Sequence, residues 1–118
     1  MSLGCVDYIQ RDLKFLSKYV KMLEEGRKNS TLRKGRRVPL KMTLPVFEAE
    51  TNRKVGDAEI IEVRWVKLKD ALSSKEILRS EGTSNPEELL EELKAIYGDI
   101  SLEEWFTFFK FKYIKAQP

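Results

Sequence analysis

The sequence predicts an α+β fold in which a small, strongly bent or barrel-like sheet is flanked by helices. Two segments, 7–25 and 86–97, have the apolar spacing of amphipathic helices. Two others, 58–68 and 105–115, are rich in the aromatic and β-branched residues that favour strands. The predicted order is a helix, two or three strands, two helices and a final strand, which is typical of the α+β class.

The length and composition predict one domain over residues 1–118, with residues 1–7 as a flexible start or one added for expression. A hydrophobic content of 42% and a charged content of 35% fit an ordinary soluble chain. No apolar run approaches the roughly 20 residues of a membrane span, and the N-terminus lacks the layout of a signal peptide. The expected location is therefore the cytoplasm, with no membrane partner.

The first predicted element is a helix over residues 7–25. Apolar side chains recur in it at intervals of three and four and form one stripe: Ile9, Leu13, Leu16, Val20 and Leu23. Gly26 is placed to end this helix in a left-handed turn, because glycine adopts a positive φ without steric cost.

The middle of the chain predicts strands. Residues 30–33 form a short strand, and residues 38–49 form another that Pro39 and Pro45 limit to edge or bulged pairing. A turn over 50–57 then leads into a strand over 58–68. The alternation in that strand places Glu62 and Arg64 on one face and three apolar residues on the other: Ile61, Val63 and Trp65.

The last third of the chain predicts two helices and a strand. Residues 73–80 indicate a short helix. A second helix starts at Asn85-Pro86, with Asn as the cap and Pro at the first helical position, and Gly98 ends it. Residues 105–115 form the final strand.

The residue types exclude several kinds of site. The chain has no histidine, which excludes Ser-His-Asp catalysis, Cys-His catalysis and histidine-containing metal sites. The single cysteine, Cys5, excludes a disulfide within the chain. No carboxylate spacing fits a metal, so neither a metal nor a cofactor is predicted.

Charge is distributed unevenly along the chain, although the net charge is only +3. Residues 87–104 carry seven acids against Lys94 alone and are expected to repel phosphate, and the acidic helix at 87–97 is expected to be a solvated face. Residues 27–47 contain no acid and seven cations, which attract phosphate: Arg27, Lys28, Arg33, Lys34, Arg36, Arg37 and Lys41.

Three residues of the basic segment can share one cleft. Thr31 and Arg33 are two apart in a predicted strand and therefore face the same way. Lys28 reaches that side only if the chain turns between Gly26 and Asn29, which the glycine makes easy. In the alternative interpretation, Lys28 is a solvated cation at a helix end, Thr31 is only a strand former, and the following arginines are a solvated loop.

The string Gly26-Arg27-Lys28-x-x-Thr31-x-Arg33 resembles the signature of the activating-signal-cointegrator homology (ASCH) domain, a PUA-like β-barrel family. Segments further along the chain are similar to the family in the same order, so that the resemblance covers roughly residues 8 to 115. They are the central strand at 55–63, the entry to the helical insert at 68–72, the pair Glu81-Gly82, the insert helix at 88–97 and the closing strand at 105–114.

The resemblance implies a small PUA-like bent sheet or β-barrel that binds RNA or nucleotides beside the signature. Some bacterial members are amidohydrolases that remove acetyl from acetylated cytidine, using the lysine and threonine of the motif and a carboxylate of the insert. These roles carry over to Lys28, Thr31 and Glu81. After Arg33 the chain departs from the hydrolases, because a short basic segment, 34–37, replaces their longer and more acidic loop.

The primary functional hypothesis is a binding module whose basic cleft takes RNA or a nucleotide. The residues assigned to it are Arg27, Lys28, Thr31, Arg33, Lys34, Arg36 and Arg37. One or two of the aromatic residues between Trp65 and Tyr113 are expected to line this cleft and to stack on bases, the rest being core.

Two catalytic alternatives remain open. In an amidohydrolase, Lys28 acts as the base toward Thr31, Glu81 protonates the departing amine, and Arg33 holds a carbonyl or phosphate oxygen. In a ribonuclease, Lys28 and Arg33 surround a phosphodiester. The carboxylate separates binding from amide hydrolysis, because only the hydrolase requires Glu81.

Overall fold

A strongly curled five-stranded sheet dominates the computed structural model, which describes residues 5–117. The strands are β1 (Tyr8–Gln10), β2 (Leu13–Phe15), β3 (Ser30–Lys34), β4 (Arg37–Pro39), β5 (Thr43–Glu48), β6 (Arg53–Lys67) and β7 (Trp105–Lys115). The helices are α1 (Ser17–Glu24), α2 (Leu68–Leu72), α3 (Lys75–Ser80) and α4 (Pro86–Tyr97). Within residues 5–117 no helix has the length and apolar character needed to cross a membrane.

The sheet has the order β2-β5-β6-β7-β3, and β1 and β4 form a separate two-stranded sheet. Pairing is antiparallel from β5 to β3, whereas β2 runs parallel to β5 and β1 parallel to β4. The long strands β6 and β7 pair from Gly56–Lys115 to Lys67–Trp105. The predicted α+β class, with a bent sheet flanked by helices, is confirmed.

The final strand is buried on both faces over residues 106–109. Phe106 and Phe108 pack with α2, α3 and α4, whereas Phe109 and Phe111 pack with α1, β2 and β5. Because side chains alternate along a strand, these two pairs point to opposite faces. The four rings are fully buried or nearly so and connect two hydrophobic cores, which is why this strand is so rich in aromatic residues.

The predicted helix over 7–25 is wrong in its first half. Residues 8–10 and 13–15 are strands β1 and β2, and only Ser17–Glu24 is helical. The apolar spacing that predicted a helix is also compatible with a strand here, because Leu13 and Phe15 are two positions apart and both side chains are buried in β2. Strand β2 pairs with β5, and the apolar spacing of one segment cannot reveal a pairing with a distant segment.

Three further details of the strands differ from the prediction. Strand β6 begins at Arg53, inside the predicted turn over 50–57. Residues 38–49 are split into β4 and β5, and β5 is an internal strand with a register shift between Val46 and Phe47. A second register shift, between Ile60 and Glu62, turns Ile61 outward, so that it is 63% exposed while Ile60 is buried. Alternation alone cannot locate such a bulge.

The helices of the last third agree with the sequence more closely. The predicted helix over 73–80 is present as α3, preceded by the separate helix α2. Asn85 caps α4 by accepting hydrogen bonds from the backbone of Glu87 and Glu88, and Gly98 ends it with a φ of +76°. The predicted start, residues 1–7, lies partly outside the described residues, whereas the Asp7 backbone N–H donates to the Arg36 carbonyl at 2.7 Å.

Candidate active site

A cleft of about 770 Å³ opens between β2, α1 and β3 on one side and α4 on the other. Its apolar surface comes from Phe15, Leu32, Leu89 and Leu93 among others. A cleft of this volume is of the size that holds small ligands. Eight charged side chains line it: Lys14, Lys18, Lys28, Arg33, Glu81, Glu88, Glu91 and Glu92.

A buried ion pair lies in the cleft. The Lys28 ammonium donates to Oε2 of Glu81, and both residues are 6% exposed. The ammonium also lies 5.8 Å from the ring centroid of Phe15 and 5.5 Å from that of Tyr19. The other carboxylate oxygen, Oε1, is buried without a hydrogen-bond partner among the described residues. This arrangement leaves one carboxylate oxygen of the buried pair without a donor.

The end of α3 is fixed against the turn that carries Lys28. The Asn29 backbone N–H donates to the Ser80 carbonyl at 2.6 Å, and the hydroxyls of Ser30 and Ser80 are 2.7 Å apart. These contacts hold the next residue, Glu81, close to Lys28, although 53 positions separate the two in sequence.

Gly82 permits this close approach. Its φ is +86°, in the left-handed region that favours glycine. A Cβ at this position would lie 2.8 Å from the Arg27 carbonyl oxygen and 2.5 Å from the Met22 methyl group. A larger residue would therefore push the end of α3 away from the turn that carries Lys28, and this would separate Glu81 from Lys28.

Thr31 and Arg33 share one side of β3, as predicted from their spacing. The Thr31 hydroxyl is buried and accepts a hydrogen bond from Arg33 Nε at 3.1 Å. The same guanidinium donates to the Lys14 carbonyl at 3.0 Å and lies 5.0 Å from the Phe15 ring centroid. Burial lowers the pKa of Arg33, but an arginine remains charged. The guanidinium is thus held in one orientation beside the hydroxyl.

Tyr19 and Glu92 face each other across the cleft, from α1 and α4. Burial raises the pKa of Glu92 above its usual range, while a hydrogen bond with Tyr19 and the charge of Lys28 oppose that rise. Burial is also the main cause that raises the pKa of Tyr19, and the neighbouring Glu92 adds to it. The side of the cleft next to α4 therefore disfavours additional negative charge.

The structure brings together four of the predicted site residues and leaves four outside. Lys28, Thr31, Arg33 and Glu81 line the cleft. The four other cations predicted for the site are absent from the lining, as far as residues 5–117 show: Arg27, Lys34, Arg36 and Arg37. Three of these four make ion pairs elsewhere: Arg27 with Glu25, Lys34 with Glu104 and Arg36 with Asp7.

The cleft is mixed in charge, because its four cations face four carboxylates. Helix α4, which was expected to be only a solvated face, contributes three of these carboxylates. The aromatic residues that line the cleft are Phe15 and Tyr19. Within the described chain, none of the aromatic residues predicted for the cleft, from Trp65 to Tyr113, belongs to the lining. Only the fold, by placing β2 and α1 beside β3, reveals the roles of Phe15 and Tyr19.

Comparison with solved structures identifies the architecture, whereas no family model and no curated protein matches the sequence. The ASCH domain from Lactobacillus crispatus JV V101 superposes with a TM-score of 0.63 over 98% of this chain and 87% of that chain. The chain has the ASCH-domain fold.

Two further solved structures have a similar fold. A DUF984-family protein from Enterococcus faecalis V583 gives a TM-score of 0.67 over 88% of this chain and 76% of that one. A point variant of ZmASCH from Zymomonas mobilis gives 0.62 over 90% and 71%. Sequence identities in the three comparisons are 12–15%, so the likeness concerns the fold, and the predicted ASCH-domain fold is confirmed.

Proposed function

We propose that this protein is an amidohydrolase that acts on a small acylated substrate, with an acetylated nucleoside such as acetylcytidine as the substrate class. The observation that carries the proposal is the buried Lys28–Glu81 pair in the same cleft as the Thr31 hydroxyl. Binding alone does not require a buried carboxylate with a vacant oxygen, whereas amide hydrolysis requires a group that protonates the leaving amine.

The pair supplies a base and an acid once a proton passes from Lys28 to Glu81. The neutral amine of Lys28 then takes the proton of the Thr31 hydroxyl, and the threonine oxygen attacks the acyl carbon. The guanidinium of Arg33 retains N–H groups beyond those given to Thr31 and Lys14, and these stabilise the negative acyl oxygen.

Collapse of the tetrahedral intermediate breaks the carbon–nitrogen bond. The carboxyl of Glu81 gives its proton to the leaving nitrogen, which departs as the free amine and leaves Thr31 acylated. The ion pair is restored, and a second proton transfer from Lys28 to Glu81 prepares the next step. Lys28 then takes a proton from water, the hydroxide attacks the ester, and Glu81 protonates the Thr31 oxygen as the carboxylic acid leaves.

Acetylcytidine tests this proposal directly. The purified protein is expected to release cytidine and acetate, measured by chromatography, at a rate well above that of the uncatalysed reaction. The same preparation carrying Glu81→Gln is the control for contaminating hydrolases, because Gln cannot protonate the amine. Equal cytidine release by the two proteins, or none by either, would contradict the proposal.

A second candidate function is RNA binding on the outer surface around β1 and β4. The Arg37 guanidinium lies 4.3 Å from the ring centroid of Tyr8, and that ring is more than half exposed. An exposed aromatic ring beside arginines is a platform on which a single-stranded base can stack. Arg36 is the preceding residue and is paired with Asp7, a partner that a phosphate would have to displace before it could contact this guanidinium.

Salt dependence distinguishes RNA binding at this surface. In filter binding with a single-stranded RNA, replacement of Arg36 and Arg37 by Ala should weaken affinity and flatten the logarithmic salt slope by about 1.4, because each phosphate contact on a single strand contributes about 0.7. Lys75→Ala, at an exposed cation of α3, should change neither affinity nor slope more than slightly. An unchanged slope in the double variant would show that these arginines do not contact RNA.

A further inference from the structure

Strand β3 is an edge of the five-stranded sheet, and only one side of its main chain pairs with β7. In an antiparallel pair, residues that exchange hydrogen bonds with the partner strand alternate with residues whose N–H and C=O point away from it. Two bonds just outside β3 fix this alternation: the Asn29 carbonyl accepts from β7 at 3.0 Å, and the Gly35 N–H donates to β7 at 2.8 Å. The odd-numbered residues from 29 to 35 therefore bond to β7, and the main-chain groups of Leu32 point to the open edge.

Helices of the insert cover both ends of this open edge and leave Leu32 between them. The Lys34 N–H, which the same alternation turns away from β7, donates to the Tyr97 hydroxyl at 3.3 Å. At the other end, the hydroxyls of Ser30 and Ser80 are 2.7 Å apart. Outside the strand ladder, no hydrogen bond to the main chain of Leu32 is present among residues 5–117. The edge therefore retains one main-chain donor and one main-chain acceptor.

The open edge at Leu32 faces the cleft. Residues on both faces of β3 line the cavity: Thr31 and Arg33 on the face beside Phe15, and Leu32 on the face whose core includes Leu89. A cavity bordered by both faces of a strand lies along its edge, which is the direction of the main-chain groups. Leu32 is 4% exposed and Thr31 6% exposed, so this edge lies as deep in the cleft as the proposed nucleophile.

The cleft is the seam of the curled sheet. Strands β2 and β3 form its two edges, and they are bridged by a side chain, because the Arg33 guanidinium donates to the Lys14 carbonyl at 3.0 Å. Buried main-chain groups without a partner are rare in proteins, since each costs about as much free energy as a lost hydrogen bond. A ligand that offers both an acceptor and a donor would satisfy the two groups of Leu32.

The geometry of these two groups limits the ligand. The N–H and C=O of one extended residue point the same way, so they fit an acceptor that lies beside a donor. A peptide strand has this pattern, but it would also need the main chain at residues 30 and 34, where α3 and α4 lie. The base-pairing edge of an aminopyrimidine has the same pattern in a compact form, because its ring nitrogen accepts and its exocyclic N–H donates. A simple trans amide satisfies only one group, because its N–H and C=O point in opposite directions.

We infer that the main chain of Leu32 is a binding subsite for the donor–acceptor edge of a planar heterocycle, and that it holds the acylated nitrogen of this edge near Thr31 and Glu81. The inference rests on the proposed function for the identity of the reacting groups. It narrows the acylated substrates to those in which the amide nitrogen is attached to a ring carbon next to a ring nitrogen. Acylated alkylamines, which lack this edge, are then poor substrates.

Calorimetric titration of the unmodified protein with three nucleosides tests the subsite without any turnover. Cytidine carries the required edge. In 3-deazacytidine a C–H replaces the accepting ring nitrogen, and in uridine the donor and the acceptor are exchanged. Each of these two should bind at least about tenfold more weakly than cytidine, because a buried main-chain group loses its partner. Equal affinities for the three ligands, or binding of none of them, would overturn the inference.

A proline at position 32 tests the main-chain donor itself. Leu32→Pro removes the N–H without breaking a bond to β7, and an edge strand tolerates proline where the N–H points outward. Leu32→Ala is the matched control, because it also loses the leucine side chain but keeps the N–H. Cytidine should bind Leu32→Pro at least about tenfold more weakly than Leu32→Ala, whereas 3-deazacytidine, which cannot accept from this N–H, should bind both variants alike. Equal cytidine affinities in the two variants would contradict the subsite, and if the proline variant does not fold, the three ligands on the unmodified protein decide.

The outcomes separate the inference from the proposed activity. If acetylcytidine is not hydrolysed but cytidine binds more tightly than both analogues, the subsite stands and the hydrolase proposal fails. If the acetylated forms of cytidine and 3-deazacytidine are hydrolysed with equal efficiency and the three unacylated ligands bind equally, the activity stands and the inference fails.

Discussion

Lys28→Met or Glu81→Leu, made alone, should each lower the free energy of unfolding by about 3–5 kcal/mol, because either change leaves an uncompensated charge in a buried site. The double variant should recover this loss, and its free energy of unfolding should be at least as high as that of the unmodified protein. The reason is that a well-packed apolar pair avoids the desolvation of two ions. Unfolding in a denaturant series, followed by circular dichroism, measures all four free energies.

An exposed ion pair provides the control. Lys54 Nζ and Asp57 Oδ1 are 3.2 Å apart at the surface. Replacing either residue alone should change the free energy of unfolding by less than about 1 kcal/mol. A double variant at Lys28 and Glu81 that is no more stable than the single variants would show that the cleft cannot pack Met and Leu at these positions. The double variant should in any case release no cytidine from acetylcytidine.

A stable but inactive double variant would explain why a charged pair occupies this position. Burial of both groups is costly, and Oε1 of Glu81 adds a buried acceptor without a partner among the described residues. Residues that lower stability in a cleft are typical of functional sites, where the chemistry requires a group that packing would not select.

Elements with local signals were predicted well from the sequence. Helix α4 has its cap, proline and terminal glycine within the sequence itself, and β7 has a dense run of strand-forming residues. The strands β1 and β2 were missed because their partners, β4 and β5, lie about thirty positions away. Local periodicity contains no information about such pairing.

The candidate site likewise has one part that local sequence rules predict and another that depends on contacts between distant segments. The shared face of Thr31 and Arg33 follows from strand alternation, which is a local rule. The contact between Lys28 and Glu81 depends on Ser80 packing against Asn29 and on the space left by Gly82. Spacing in the sequence did not predict that contact, and only the resemblance to ASCH domains indicated Glu81.

The charge of the cleft was the largest difference from expectation. The linear run of cations in residues 27–47 predicted a basic cleft, but Lys34, Arg36 and Arg37 are absent from the lining of the cleft. Helix α4 instead brings carboxylates across from β3. Cations that are adjacent in the sequence need not line the same cleft, and the charge around a ligand depends on the side chains that the fold places there.

Thr31→Val should lower the turnover number for acetylcytidine by at least about a thousandfold, because the nucleophilic oxygen is lost while the volume of the side chain is retained. Thr31→Ser should retain part of the activity, since its hydroxyl survives. The Michaelis constant should change little in either variant, because a group that acts in the transition state contributes little to ground-state binding. Steady-state chromatographic assays of released cytidine measure both constants.

Thr43→Val, at an exposed threonine of β5, is the matched control and should leave both constants as they are. A Thr31→Val protein with a turnover number near that of the unmodified enzyme would rule out Thr31 as the nucleophile. The activated water of Lys28 would then attack the amide directly, with Glu81 still protonating the amine. In that case the acyl-enzyme should be undetectable by mass spectrometry after rapid quenching, whereas a threonine nucleophile predicts an added acetyl group on the peptide that contains Thr31.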